Sequence, residues 1–153
     1  MAIAGGVSIT FPPKNGYIYE EGMLNSPNGH CYALDKNAQG TIEGNGIGVV
    51  VLKKLSAAID DKDIIYAVVK GSAVNNDGNN KLNFTAPSLS GIESVIREAY
   101  KKSGVDLKMV KYIEMHGTGT PLGDAVEIAA LKSVFAEQNN TECIIGSVKA
   151  NIG

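Results

Sequence analysis

Residues 110–127 read Val-Lys-Tyr-Ile-Glu-Met-His-Gly-Thr-Gly-Thr-Pro-Leu-Gly-Asp-Ala-Val-Glu. An apolar strand (Val110, Tyr112, Ile113, Met115) runs straight into glycines and threonines, and the pattern then opens a helix at Asp124. A chain in that order leaves a sheet at its carboxyl edge and returns across it as a helix, which is α/β architecture. The strand delivers His116 to that edge, where α/β enzymes often present catalytic groups on adjoining loops. Two glycines are a costly choice for merely closing a turn. They let backbone and small hydroxyls line a narrow tunnel.

The flanking segments extend the pattern. Leu89 to Ser103 carries apolar residues at Ile92, Val95, Ile96, Ala99 and Tyr100, the stripe of an amphipathic helix. Ser90 and Glu93 are spaced as a capping box, and Gly104 lies just past the end. The strand with His116 follows, then a helix over 124–138, then a strand over Cys143 to Val148. Helix–strand–helix–strand implies parallel strands joined by crossovers. The first half predicts strands over 2–9, 49–53 and 64–74, with a short helix over Leu55 to Ile59. Residues 11–45 are rich in turn signals, among them Pro12-Pro13, Asn15-Gly16 and Ser26-Pro27-Asn28-Gly29. So long a loop is functional or is held by other parts of a larger domain. The two halves part near residues 76–86.

Composition removes several classes. The 153 residues are 44% apolar and 20% charged, as in a globular chain. A net charge of −2 gives no long-range pull toward nucleic acid or anionic membrane. The apolar run Val49 to Leu52 is far short of the ~20 residues a membrane helix needs. No basic flank marks a signal peptide, so Cys31 and Cys143 read as reduced thiols of a cytoplasmic protein. Two histidines and two cysteines scattered along the chain lack zinc-ligand spacing, and no metal site is expected. Gly44-x-Gly46-x-Gly48 precedes its strand, so it is not a phosphate loop.

Asp124 and Glu127 could be an acid–base carboxylate pair. Their spacing is also that of a helix N-cap and its third residue, and the cap is the preferred reading. Cys31 follows His30 directly, and neighbours on extended backbone point to opposite faces, which argues against a dyad. Lys149 ends the apolar run Ile144 to Val148, where strands open into active sites, although a solvated lysine is the default.

His116-Gly-Thr-Gly-Thr120 matches the motif of the β-ketoacyl synthase (ketosynthase) family letter for letter, and the chain resembles that family throughout. Ala4-Gly5-Gly6-Val7, Ser26-Pro27-Asn28-Gly29-His30-Cys31, Glu43-Gly44-Asn45-Gly46, Gly71-Ser72-Ala73-Val74-Asn75-Asn76-Asp77-Gly78 and Lys149-Ala150-Asn151-Ile152-Gly153 follow in family order. Gly119 resembles the modular polyketide synthase branch. The 11–32 region is similar to ketosynthases of polyketide or mixed peptide–polyketide assembly lines.

The resemblance implies a thiolase-like αβαβα sandwich of which this chain is an internal fragment: residues 1–76 the end of the N-terminal half, 77–153 the beginning of the C-terminal half. It implies decarboxylative Claisen condensation, the extender unit arriving as a thioester on the phosphopantetheine arm of an acyl carrier protein. His116 would be the first of two family histidines, and Lys149 would hold the active-site network and favour a neutral imidazole. Thr118 and Thr120 would bind the amides of the pantetheine arm. The family nucleophile, a cysteine in a Thr-Ala-Cys-Ser-Ser type segment, is expected upstream of Ala4, and the second histidine directly after Gly153. The fragment alone is expected to be inactive. An acyltransferase and other synthase domains, and a second copy of the parent, are the implied partners. The alternative is a non-catalytic ketosynthase-like module that recognises carrier-bound chains.

Overall fold

The computed structural model describes residues 1–12, 16–76, 78, 87–136 and 142–152. They form two compact units: Met1–Tyr17 with Gly44–Val69, and Ile18–Glu43 with Lys70–Gly153.

The first unit is an antiparallel ribbon with a short helix. Strand β1 (Ala2–Ser8) pairs with β2 (Gly46–Leu52) in a register running from Ala2↔Leu52 to Ser8↔Gly46. β2 starts three residues earlier than its valine run predicts, because Gly46 and Gly48 lie inside the ladder. One glycine is required there: a Cβ on Gly5 would stand 2.8 Å from the Gly48 carbonyl oxygen. Helix α1 (Leu55–Asp60) matches the expected short helix. Lys53 bridges to Asp61, and to Asp63 at 2.6 Å, tying the end of β2 to the turn after α1. The strand expected over 64–74 does not form. Residues 64–74 carry no ladder partner, and Ile64, Tyr66 and Val69 are exposed. Apolar alternation identifies a segment able to pair; the pairing itself needs a neighbour's backbone groups.

In the second unit, α2 (Leu89–Ser103) and α3 (Pro121–Phe135) pack together, with Tyr100 edge-on to Phe135 at 6.0 Å. α2 ends at Gly104 (φ 62°) as expected. Its cap is not Ser90. Ser88 takes that place, its Oγ accepting from the Gly91 N–H at 3.1 Å. α3 begins at Pro121, three residues before the expected start, since proline pre-sets the helical φ at the first position and needs no N–H there. The expected end at 138 lies outside the described residues, as do residue 77 and most of the 76–86 break between halves. Strands β3 (Tyr112–Glu114) and β4 (Ile144–Gly146) pair in parallel, as the helix–strand alternation predicts. A 3₁₀ turn, Leu107–Met109, leads into β3. α4 (Lys149–Ile152) follows β4.

The centre of this unit is small: Met115, Ala130 and Val134 are buried, with Cys31 and Ala38 from the irregular segment. An open hollow of about 190 Å³ remains between α3 and the strands, lined by Ile113, Ile128, Leu131, Phe135 and Ile145. Residues 18–43 keep the irregular course their turn signals predict, with an isolated bridge between Asn25 and Thr41. None of the described helices is long and apolar enough to cross a membrane.

Candidate active site

β3 ends at Glu114, and the next six residues form the loop that the sequence singles out. Met115 anchors it: the side chain is 2% exposed and its N–H donates to the Gly146 carbonyl at 2.8 Å. Beyond Met115 the loop leaves the sheet, so its peptide groups need partners from elsewhere.

α3 supplies two of them through carboxylates. Glu127 Oε1 accepts from the His116 N–H at 2.7 Å and Oε2 from the Gly117 N–H at 3.0 Å. Asp124, only 5% exposed, accepts from the Gly119 N–H at 3.2 Å and from the Leu34 N–H at 2.7 Å. The expected helix cap is therefore not their role. Helix α3 starts at Pro121 behind Thr120, which makes no side-chain cap. Asp124 and Glu127 lie inside the helix, three residues apart on one face, and their side chains lean back toward its N-terminus and the loop. Both carboxylates are engaged with backbone amides, so they do not form an acid–base pair either.

The opposite side of the loop is held by β4 and α4. Ser147 Oγ donates to the Gly117 carbonyl at 3.0 Å, and Lys149 Nζ donates to the His116 carbonyl at 2.9 Å. The His116–Gly117 backbone thus has its N–H groups on a carboxylate and its carbonyls on a hydroxyl and an ammonium. Each peptide dipole points its positive end at Glu127 and its negative end toward β4 and α4. Hydrogen bonds to charged groups contribute roughly 1.5–3 kcal/mol each, enough to give the loop one conformation. The His116 side chain is left exposed.

Glycine is needed twice. Gly117 has φ 44°, and a Cβ there would stand 2.6 Å from the Ser147 Cβ. Gly119 has φ 72° and is approached by Cys31 and Gly40. Those two come from the irregular segment: the Cys31 thiol lies 3.3 Å from the Thr118 carbonyl, and the Gly40 N–H donates to the Gly119 carbonyl at 2.9 Å. Buried Cys31 is a packing and hydrogen-bonding residue here, with no dyad to His30, whose ring lies 5.8 Å from that of Tyr32.

Thr118 and Thr120 present hydroxyls 3.3 Å apart. If one donates to the other, one O–H and free lone pairs remain for an amide. The space beside them depends on Gly123, whose missing Cβ would contact the Thr120 hydroxyl. That donor and acceptor set fits a pantetheine amide.

The structure so brings together His116 with Lys149, and Thr118 with Thr120. Sequence reasoning missed the anchors Glu127, Asp124 and Ser147. The i, i+3 spacing of the two carboxylates was a usable signal for a shared face. Nothing local could show that Leu34, 90 positions away, would meet Asp124. Among the described residues no cluster of metal-ligating side chains occurs.

Residues 1–58 match the N-terminal domain of β-ketoacyl synthases, and residues 66–153 match their C-terminal domain. Over its whole length the chain is 48% identical to a phenolphthiocerol/phthiocerol polyketide synthase of Mycobacterium tuberculosis, of which it spans 10%. It is 44% identical to polyketide synthase PksL of Bacillus subtilis, spanning 3% of that protein. Ketosynthase twelve from the bacillaene polyketide synthase of Bacillus amyloliquefaciens superposes with a TM-score of 0.93 at 40% identity. That match covers 99% of this chain and 27% of the ketosynthase.

Proposed function

Because this chain belongs to the β-ketoacyl synthase family and carries part of its thiolase-like fold, we propose that it works within a ketosynthase domain of a polyketide synthase, condensing an acyl thioester with a malonyl-type unit. The relatives are polyketide synthases, which are enzymes, and a non-catalytic module is not favoured. The observation that carries the reading is His116 itself: a backbone gripped from both sides, with the imidazole exposed at a strand end.

The chemistry follows from that placement. An acyl chain waits as a thioester on the family's cysteine. Loss of carbon dioxide from the malonyl thioester leaves the bonding electron pair as an enolate, with charge on the thioester oxygen. The His116 imidazole N–H donates to that oxygen. The enolate carbon then attacks the acyl carbonyl, forming the new carbon–carbon bond and expelling the cysteine thiolate. A positioned donor of this kind is worth about 10²–10³ in rate, and it works only if its geometry is set beforehand. Lys149 contributes by fixing the His116 carbonyl. Thr118 and Thr120 hold the pantetheine amides of the carrier-bound substrate.

The same reading includes an acyl carrier protein, neighbouring acyltransferase and other synthase domains, a homodimeric parent, a cytoplasmic location, and a division of the chain at 76/77 between the two ketosynthase halves. His116→Ala in a complete ketosynthase domain containing this sequence tests it. We expect malonyl decarboxylation to fall at least ~10²-fold while acylation of the cysteine survives. Loss of acylation with decarboxylation intact would show that His116 serves the other half-reaction.

A further inference from the structure

Two residues before His116, β3 carries a carboxylate that the proposed reaction does not use. Tyr112 and Glu114 alternate along β3, so both side chains leave the same face. Glu114 Oε1 accepts from the Val148 N–H at 2.7 Å, and Oε2 accepts from the Tyr112 hydroxyl. In the parallel register Glu114 lies opposite Gly146. A Cβ on Gly146 would stand 2.9 Å from the Tyr112 hydroxyl oxygen and 3.4 Å from its ring. Glycine at that position leaves the phenol room to lie across the neighbouring strand and reach the carboxylate.

Val148 is the residue before α4, and its carbonyl accepts the first bond of that helix, from the Asn151 N–H at 2.9 Å. The Val148 N–H has no partner within the helix, as at any helix start. Glu114 takes it. The next residue is Lys149, whose ammonium meets the His116 carbonyl.

We infer that Glu114 is a positioning residue: held by Tyr112, its carboxylate fixes the β4–α4 turn so that Lys149 meets the His116 carbonyl. Its catalytic consequence rests on the condensing reading above, whereas its grip on the turn does not. A hydrogen bond from an amide to an ionised carboxylate is about twice as strong as a neutral pair. Glu114 also presents one oxygen to each partner, so Tyr112 and Val148 do not compete. The strand that delivers His116 thereby aims Lys149 as well.

The test compares Glu114→Ala with Glu114→Gln in a complete ketosynthase domain containing this sequence. Glutamine keeps an acceptor for the Val148 N–H; alanine does not. Hydrogen exchange of the Val148 amide should speed up roughly ten-fold in the alanine variant, and much less in the glutamine variant. Malonyl decarboxylation should lose roughly ten-fold in kcat in the alanine variant, with KM for the carrier-bound substrate and loading of the cysteine unchanged, and glutamine should restore most of it. Wild-type exchange in the alanine variant would overturn the inference. So would a loss of kcat, loading and thermal stability together, which marks general damage. A wild-type domain that released no carbon dioxide would remove the condensing reading, and the exchange comparison would still decide whether Glu114 holds the turn.

Discussion

At the scale of single residues, the site depends on which groups are pinned and which are left free. Thr118 and Thr120 are short, flanked by glycine, and hydrogen-bonded to one another through their side chains. Replacing either with valine keeps the shape and removes the hydroxyl. If each contributes a hydrogen bond of about 0.5–1.5 kcal/mol to a pantetheine amide, kcat/KM for carrier-bound malonyl should fall roughly ten-fold. A truncated thioester lacking those amides should lose far less; equal losses on both substrates would assign the threonines to holding the loop. Gly117 is constrained differently, by a φ of 44° and by Ser147. Gly117→Ala puts a methyl where no space exists and strains the backbone, at a cost of roughly 1–3 kcal/mol. Decarboxylation should fall with it, because the His116 carbonyl cannot then stay on Lys149. Normal activity in that variant would mean the loop tolerates another path, contrary to the grip described for it.

At the scale of elements, capping and charge set where segments start. Ser88→Ala removes the acceptor for the Gly91 N–H, and N-cap losses cost about 0.5–2 kcal/mol. Exchange of the first-turn amides of α2 should accelerate, while those of its last turn, closed by Gly104, should not. Uniform acceleration along the helix would instead indicate loss of packing against α3. The turn between β4 and α4 has a pH dependence. The Tyr112 hydroxyl, then the Val148 N–H and the nearby Lys149 charge, hold the Glu114 carboxyl below its ordinary value of 4.5. The same hydrogen bond raises the Tyr112 hydroxyl above its ordinary 10.0. A lowered carboxyl stabilises the fold above its ordinary value and loses that contribution as pH falls through its folded value. A raised phenol stabilises below its ordinary value and loses it as pH rises through its folded one. Protection of the Val148 amide, corrected for intrinsic exchange, should therefore be flat between those limits and fall on both sides. Tyr112→Phe should remove the alkaline fall and keep the acidic one.

At the scale of the whole molecule, the apolar surface decides behaviour. β2 is a near-continuous apolar run, the pattern of a strand covered on both faces. Yet Ile47, Val49 and Val51 are exposed, as is Ile3 on β1. A two-stranded ribbon is marginal on its own, and bare faces with open edges invite association. The 153-residue chain by itself should self-associate at micromolar concentration and unfold over a broad temperature range. A sharp transition from a sedimentation-defined monomer would contradict this. In ketosynthases such as that of the bacillaene synthase, of which the match covers 27%, further chain is present to pack against such strands.

Local chemistry was enough to read much of this protein from its sequence. Helical periodicity and Gly104 marked α2, the helix–strand alternation predicted the parallel β3–β4 pair, and the glycine–threonine loop after a strand located His116, Thr118 and Thr120. These features depend on residues close in the chain, where spacing and backbone preference decide the outcome. The sequence also pointed to Asp124 and Glu127, but as a cap, because a three-residue spacing serves a helix start and a shared helix face equally well. Pro121 moved the start of α3 and turned both carboxylates onto the loop. Residues 64–74 had the pattern of a strand without a backbone to pair with. Leu34, Cys31 and Gly40 met the catalytic loop only through folding. Tertiary structure decided these because a backbone N–H or C=O left without a partner takes whichever group the fold brings near, and that group need have no relation to it in sequence.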